Sequence, residues 1–199
     1  MDPSVIRAMA KWPNVPAVHG WLALDRRGQW SIKNASGVGF ERVANTKLIE
    51  FIDRNYAHDE QGRWYFQNGP QRVYVKLDYA PFVYRIAHAH PLAFETHTGA
   101  ACANLQSVCL DEDGNLLLVT EHGPGLLLDR DLPRALEALS YADGHVLDEE
   151  RLLALIEEGG DTNEVYFNTG AASLPLARIR AEDAPQRFGY VLEPGPSDS

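Results

Sequence analysis

The chain has 199 residues, an apolar fraction of 45% and a formal net charge of −10. That length gives one large or two small domains with a sizeable core. The acidic balance argues against nucleic acid and against an anionic membrane surface as partners, because both require a basic face.

In chain order, residues 1–17 read as an arm, with Pro13 and Pro16 bracketing an extended piece that Trp12 pins to the body. Trp21–Leu24 and Gln29–Ile32 form a hairpin about the turn Asp25–Gly28. Residues 33–43 read as a polar loop with Gly37 and Gly39 as its flexible points. Leu48, Ile49, Ile52 and Tyr56 recur at helical spacing, so a helix is predicted over 46–56, capped by Asn45 or Thr46. After a turn at 58–62 comes the most aromatic stretch, RWYFQNGPQRVYVKLDYAPFVYRI. Trp64 and Phe66 share one strand face, and Asn68-Gly69 turns the chain. Val73, Val75 and Leu77 oppose Arg72, Tyr74 and Lys76, and Ala80-Pro81 leads to a third strand, Phe82–Ile86. Together they predict a three-stranded antiparallel meander, wetted on one side.

Residues 87–105 read as a connector with one short strand around 93–97. A second hairpin joins Val108–Leu110 to Leu116–Val119 across Asp113-Gly114. Gly123-Pro124-Gly125 turns into a strand at Leu126–Leu128. Asp131 caps a predicted helix through Tyr141. Asp148 caps the next one, with a Leu147–Leu152 staple, Glu149 and Glu150 in the first turn and Gly159-Gly160 as its stop. Strands are expected at 164–167, 174–179 and 188–192, followed by a disordered tail over 193–199.

The same order occurs twice. Leu24-Asp25 with Gly28 matches Leu110-Asp111 with Gly114. The helix 47–53 matches 151–157, Tyr65-Phe66-Gln67-Asn68-Gly69 matches Tyr166-Phe167-Asn168-Thr169-Gly170, and Ala80-Pro81 matches Ala184-Pro185. The fold class expected is α+β: two similar units of hairpin, helix and three-stranded antiparallel meander packed together, the second with an extra helix. The divisions are 1–17, 18–100, 101–192 and 193–199. Ligands often bind where such units meet.

The ordered features of the first half, LDRRGQWSI, an L-I-E-F-I-D helix, DEQGRWYFQNG and VYVKLDYAPF, resemble an uncharacterised, mainly proteobacterial family of unknown function. More distantly they are similar to another uncharacterised bacterial family, whose pattern is a G-x-Y-x-L strand followed by I-x-V-x-D-A-P-F. That second resemblance implies a fold of repeated α+β motifs and a role in signalling. The likeness is clearest over residues 18–86, and it carries no catalytic residues.

For chemistry, the histidine-rich spot is His88, His90 and His97, with Glu95 near. His88 and His90 share a strand face, and a third ligand beside them would suit zinc or iron. Glu121 and His122 join only if the fold brings them close. No G-x-S-x-G elbow, phosphate loop, G-x-G-x-x-G or H-E-x-x-H motif is present. The two cysteines, Cys102 and Cys109, form no C-x-x-C pair and read as reduced thilols in the cytoplasm. The first residues show no signal peptide, and no apolar run is long enough for a membrane helix. Gln71, Arg72 and Lys76, with Asn68 at the turn beside them, form a polar-basic set on the wet face that suits a carboxylate or phosphate.

The leading expectation is a non-enzymatic cytoplasmic protein without cofactor, with no catalytic residues, binding a small ligand or a protein partner in signalling or regulation. The alternative is a metal-dependent, hydrolase-like enzyme using His88, His90 and His97. A purely structural subunit, for instance an obligate homodimer, is the third class and would show a large apolar patch.

Overall fold

Three turns of the form Asp-x-x-Gly-x close hairpins in the same way. The computed structural model, which describes residues 1–34, 36–157 and 161–196, places them at Asp25, Asp59 and Asp111. In each, the aspartate N–H donates to the carbonyl four residues on, at 3.2, 3.1 and 3.0 Å respectively. The carboxylate accepts N–H groups from the second and fourth residues after it. The glycine takes the positive φ that ends the turn. An aspartate supplies the acceptor and a glycine the left-handed residue, which is why this spacing turns the chain.

The elements are α1 (Pro3–Lys11), β1 (Val18–Leu24), β2 (Trp30–Lys33), β3 (Phe40–Arg42), α2 (Thr46–Arg54), β4 (Tyr56–His58), β5 (Trp64–Asn68) and β6 (Gln71–Leu77). There follow β7 (Phe82–Ala89), β8 (Leu92–Thr96), β9 (Leu105–Leu110), β10 (Leu116–Thr120) and β11 (Gly123–Leu127). The last are α3 (Leu132–Leu136), β12 (Leu139–Tyr141), α4 (Glu149–Glu157), β13 (Val165–Asn168), β14 (Ser173–Arg178) and α5 (Ala184–Phe188). They divide into two compact units, one running from Met1 to Pro81 and resuming at Pro185, the other from Phe82 to Ala184. The fold is mixed α+β. Among the described residues no helix is long and apolar enough to cross a membrane.

The first unit is a six-stranded sheet in the order β3-β2-β1-β6-β5-β4. Its core face carries Leu22, Leu24, Trp30, Phe66, Val75 and Leu77, all at 5% exposure or less. Helix α2 adds Ile52, and its start is capped as the sequence indicates, Asn45 Oδ1 accepting from Leu48 N–H at 3.2 Å. Trp30 Nε1 donates to Asp53 at 2.7 Å, so the large ring is buried without stranding its N–H.

The second unit is an eight-stranded sheet in the order β12-β13-β14-β9-β10-β11-β7-β8. In β9 and β10 the runs Val108–Leu110 and Leu116–Leu118 are fully buried, consecutive residues included. These central strands are covered on both faces, and their unbroken apolar runs reflect it. Asp148 caps α4 through Arg151 N–H at 2.8 Å.

Several elements differ from the sequence expectation. The expected meander of 63–86 loses its third strand: β6 is bordered by β5 and, in parallel, by β1, whereas β7 pairs with β8 and β11. The antiparallel meander that does form is β4-β5-β6, with β4 immediately after α2. The loop at 33–43 contains β3, and α3 is one short turn followed by β12. Residues 1–17 begin with α1 instead of an extended arm, because Val5 finds a buried seat and Asp2 N–H reaches Asn55 at 2.8 Å. The expected division at residue 100 lies inside the second unit, whose β7–β8 hairpin pairs with β11.

Residues 188–192 form no strand. The chain after α5 runs along the first sheet as a strap, Val191 N–H donating to Gly62 and Leu77 N–H to Leu192. The strap continues into the expected tail: His19 Nδ1 lies 3.1 Å from the Pro194 carbonyl and Lys76 Nζ 3.4 Å from Glu193. The expected stop Gly159-Gly160 and residues 197–199 lie outside the described residues.

Candidate functional site

The second face of the first sheet, expected to be wet, is largely covered. Tyr65 and Tyr74 are paired across β5 and β6, both under 7% exposed, with ring centroids 5.9 Å apart. His19 stacks flat on Tyr74 at 4.6 Å. The Tyr74 hydroxyl donates to Asp59 at 3.0 Å, and Arg63 holds the same carboxylate at 2.7 Å. Burial pushes the Asp59 carboxyl up, yet the hydrogen bonds from Arg63, Tyr74 and Gln61 outweigh it and keep its pKa below the usual range.

The four expected ligand residues separate: by register only Arg72 and Lys76 share this face, and the Asn68–Gln71 pair belongs to the other. Asn68 is exposed at the end of β5, opposite Gln71. Gln71 donates its amide to the Pro16 carbonyl at 3.1 Å, and Lys76 faces Glu193 in the strap. Arg72 is half-buried. Its guanidinium lies 4.5 Å from the Tyr65 ring centroid, an arrangement that fixes the plane and leaves the edges to donate.

Beside it is a residue the sequence reading missed. Gln67 pairs with Arg72 across the hairpin and is 1% exposed. Its Nε2 donates to the Gly69 carbonyl at 2.9 Å, which orients the amide and leaves Oε1 buried with no donor among the described residues. Gln67 and Arg72 border a hollow of about 350 Å³ whose other walls are Pro70 in the turn and Met9, Trp12, Pro13, Val15 and Ala17, from α1 and the segment after it. The signal was an amide directly behind three aromatic residues in Trp-Tyr-Phe-Gln-Asn, next to a turn.

In the second unit the three histidines do not converge. His88 and His90 are exposed at the end of β7 and in the turn after it. His97 lies beyond β8, where its ring accepts Val83 N–H at 3.2 Å and packs 5.8 Å from Phe82. Val83 and His88 are separated along β7 by about 16 Å at ~3.3 Å per residue, too far for a shared ion. The His97 residue keeps some exposed surface, but its ring is at depth, and burial, with Arg85 nearby, lowers its pKa to about 3. A ring held neutral could ligate a metal, yet among the described residues no group of three His, Cys, Asp or Glu side chains is placed to hold one. Glu121 and His122 come together at 3.7 Å, but Glu121 spends its carboxylate on Ala103 and Asn104 N–H groups.

A family model described as a protein of unknown function, DUF2946, matches residues 1–195. The chain belongs to that family. No curated protein matches it. Among solved structures it is similar to a DUF1285 family protein from Silicibacter pomeroyi DSS-3, at 15% identity and a TM-score of 0.53 over 89% of this chain and 88% of that one. It also matches a DUF1285 family protein from Shewanella baltica OS155, at 17% identity and a TM-score of 0.41 over 55% of this chain and 85% of that one. At 15% identity the first of these likenesses speaks for the mixed α+β fold alone.

Proposed function

We propose that the protein is a non-enzymatic binding protein whose first unit takes a small molecule with an apolar body, a hydrogen-bond donor and an anionic group. The observation that carries this is Gln67, which lines a hollow together with Arg72 and whose buried Oε1 has no donor among the described residues. Leaving such an acceptor unmet costs about 1–3 kcal/mol, so a ligand N–H there is favoured, and the guanidinium edge suits a carboxylate. Volumes near 350 Å³ fit a molecule of one or two rings.

Part of the wall is α1 and the segment to Val15, so an occupied site fixes that segment against the sheet. This supports a regulatory role, in which occupancy is read from the position of α1. Cys102 and Cys109 form no disulfide, which suits a reducing compartment and a cytoplasmic setting.

We further read the two units as a structural repeat. The orders β3-β2-β1-β6-β5-β4 and β11-β10-β9-β14-β13-β12 correspond strand for strand, each with one parallel pair at its centre. The helix placement differs: α2 precedes β4, whereas α4 follows β12.

The test is calorimetric titration of the full chain with indole-3-acetate, 1-naphthaleneacetate and indole-3-ethanol. Indole-3-acetate should bind most tightly, since the second probe lacks the N–H and the third the carboxylate. Arg72→Gln and Gln67→Leu should each weaken it about tenfold. Affinity unchanged from the parent in both variants, or no saturable binding of any probe, would sink the proposal.

A further inference from the structure

We infer that the second unit holds a ligand site of its own, for a small hydroxylated carboxylate, in the hollow between the β7–β8 turn and β12. The hollow measures about 610 Å³ and is lined by Pro91, Leu92, Arg134, Ser140 and Asn168 among others. Asn168 occupies, in the motif Tyr166-Phe167-Asn168, the place that Gln67 holds in Tyr65-Phe66-Gln67, so the same point of the motif borders a hollow in each unit.

Ser140 is the decisive residue. Its backbone is tied on both sides, paired with Tyr166 and bridged to Val146. The residue is 6% exposed, and its Oγ has no partner among the described residues. A hydroxyl buried unmet is costly, whereas alanine or valine at the same strand position would leave nothing unmet. A serine there is explained by a molecule that reaches it. The neighbouring polar groups do not serve: Thr169 Oγ1 already accepts from the Ala171 and Ala172 N–H groups, and Asn168 Oδ1 from Gly170 N–H at 2.9 Å.

At another part of the lining stands Arg134. Its Nη1 donates to Glu137 at 2.7 Å and its Nη2 to His90 Nε2. A guanidinium has five N–H donors, so further ones remain for a carboxylate, and the His90 contact holds its plane in place. Pro91 and Leu92 offer apolar wall to the carbon skeleton between the two ends. Carboxylate on Arg134 and hydroxyl on Ser140 define the class.

The experiment titrates the full chain with gluconate, with sorbitol, which has the hydroxyls but no carboxylate, and with acetate, which has the reverse. Gluconate should bind with a dissociation constant of about 1 mM or below, and the other two far more weakly. Ser140→Ala and Arg134→Gln should each cost about tenfold in gluconate affinity, with Ser140→Ala melting no lower than the parent. Arg72→Gln should leave gluconate binding unchanged, which separates this site from the one in the first unit. No saturable gluconate binding, or the same affinity in Ser140→Ala and Arg134→Gln as in the parent, would mean a hollow that holds only solvent. A Ser140→Ala protein that melts lower would give the hydroxyl a structural duty and would also overturn the inference, as would loss of gluconate binding in Arg72→Gln.

Discussion

The turns at Asp25 and Asp111 have the same backbone bonds and the same glycine, but they sit at different depths. Asp25 is half-buried, and its carboxylate serves the N–H groups of Arg27 and Gln29. Asp111 is fully buried and also receives both its turn N–H bonds and the side-chain amide of Asn115 at 2.9 Å. Arg178 donates to the Asp111 carbonyl at 3.1 Å and to the Leu155 carbonyl, which ties α4 to the turn. The local rule decides that the chain turns. What surrounds the turn decides how much stability depends on it. The first unit is thus an alternating sheet closed by outside segments, α1 and the C-terminal strap, and the second is a sheet whose middle strands are covered on both faces.

Glycine substitutions break that contrast most sharply. A Cβ at Gly125 on β11 would lie 2.4 Å from the Tyr84 ring and 2.8 Å from Phe82 Cβ, inside the pairing of β11 with β7. Gly125→Val should cost about 3 kcal/mol or more by overpacking, read as a shift in the denaturant midpoint. At Gly62, with φ +72°, a Cβ would meet the Gly189 carbonyl oxygen at 2.0 Å. Gly62→Ala should therefore lift the strap and cost roughly 2 kcal/mol, with amides at Leu77 and Val191 exchanging faster while β9 and β10 stay protected. Equal loss of protection in both sheets would show that the strap is not local to the first.

Next in size is the pair of turns. Asp111→Ala strands several buried N–H groups and should cost about 2–3 kcal/mol, against ~1 kcal/mol for Asp25→Ala. Equal costs would mean that the depth of the turn does not set its contribution.

The His97 ring gives a smaller, pH-dependent effect. Folded, it stays neutral down to about pH 3, while the unfolded chain takes up a proton near the ordinary histidine value of 6.5. Its contribution is thus intact above pH 6.5, falls as pH drops towards 3, and is constant below. Each pH unit in that window removes at most ~1.4 kcal/mol. His97→Gln should flatten that slope in urea titrations, whereas His88→Gln, on an exposed residue, should leave it.

Much of the first sheet was legible because it needs only local signals. Trp64 to Leu77 alternate, Asn68-Gly69 turns, and Asn45 caps α2. The destination of β7 was not. Phe82, Val83 and Tyr84 suit an edge of either sheet, and only the capture of β6 by β1 sends them to β11. β12 was hidden because Leu132, Leu136 and Leu139 continue a helical spacing through three strand residues. Of the candidate sites, Arg72 was legible as a basic residue on a polar strand face. Gln67 and Ser140 were not, since their meaning lies in what fails to meet them after folding.

The smallest effect is the most telling for the first site. Lys76 belongs to the same alternating set as Arg72, two strand steps apart on one face. Its amine reaches Glu193 at 3.4 Å with side chains 42% and 74% exposed, a pair that solvent screens. Lys76→Ala should change stability by no more than about 0.5 kcal/mol and leave indole-3-acetate affinity unaltered. If binding instead falls as far as in Arg72→Gln, the anion lies nearer the strap than the Gln67 hollow. The site would then be the charged face that the sequence suggests, not the hollow under α1.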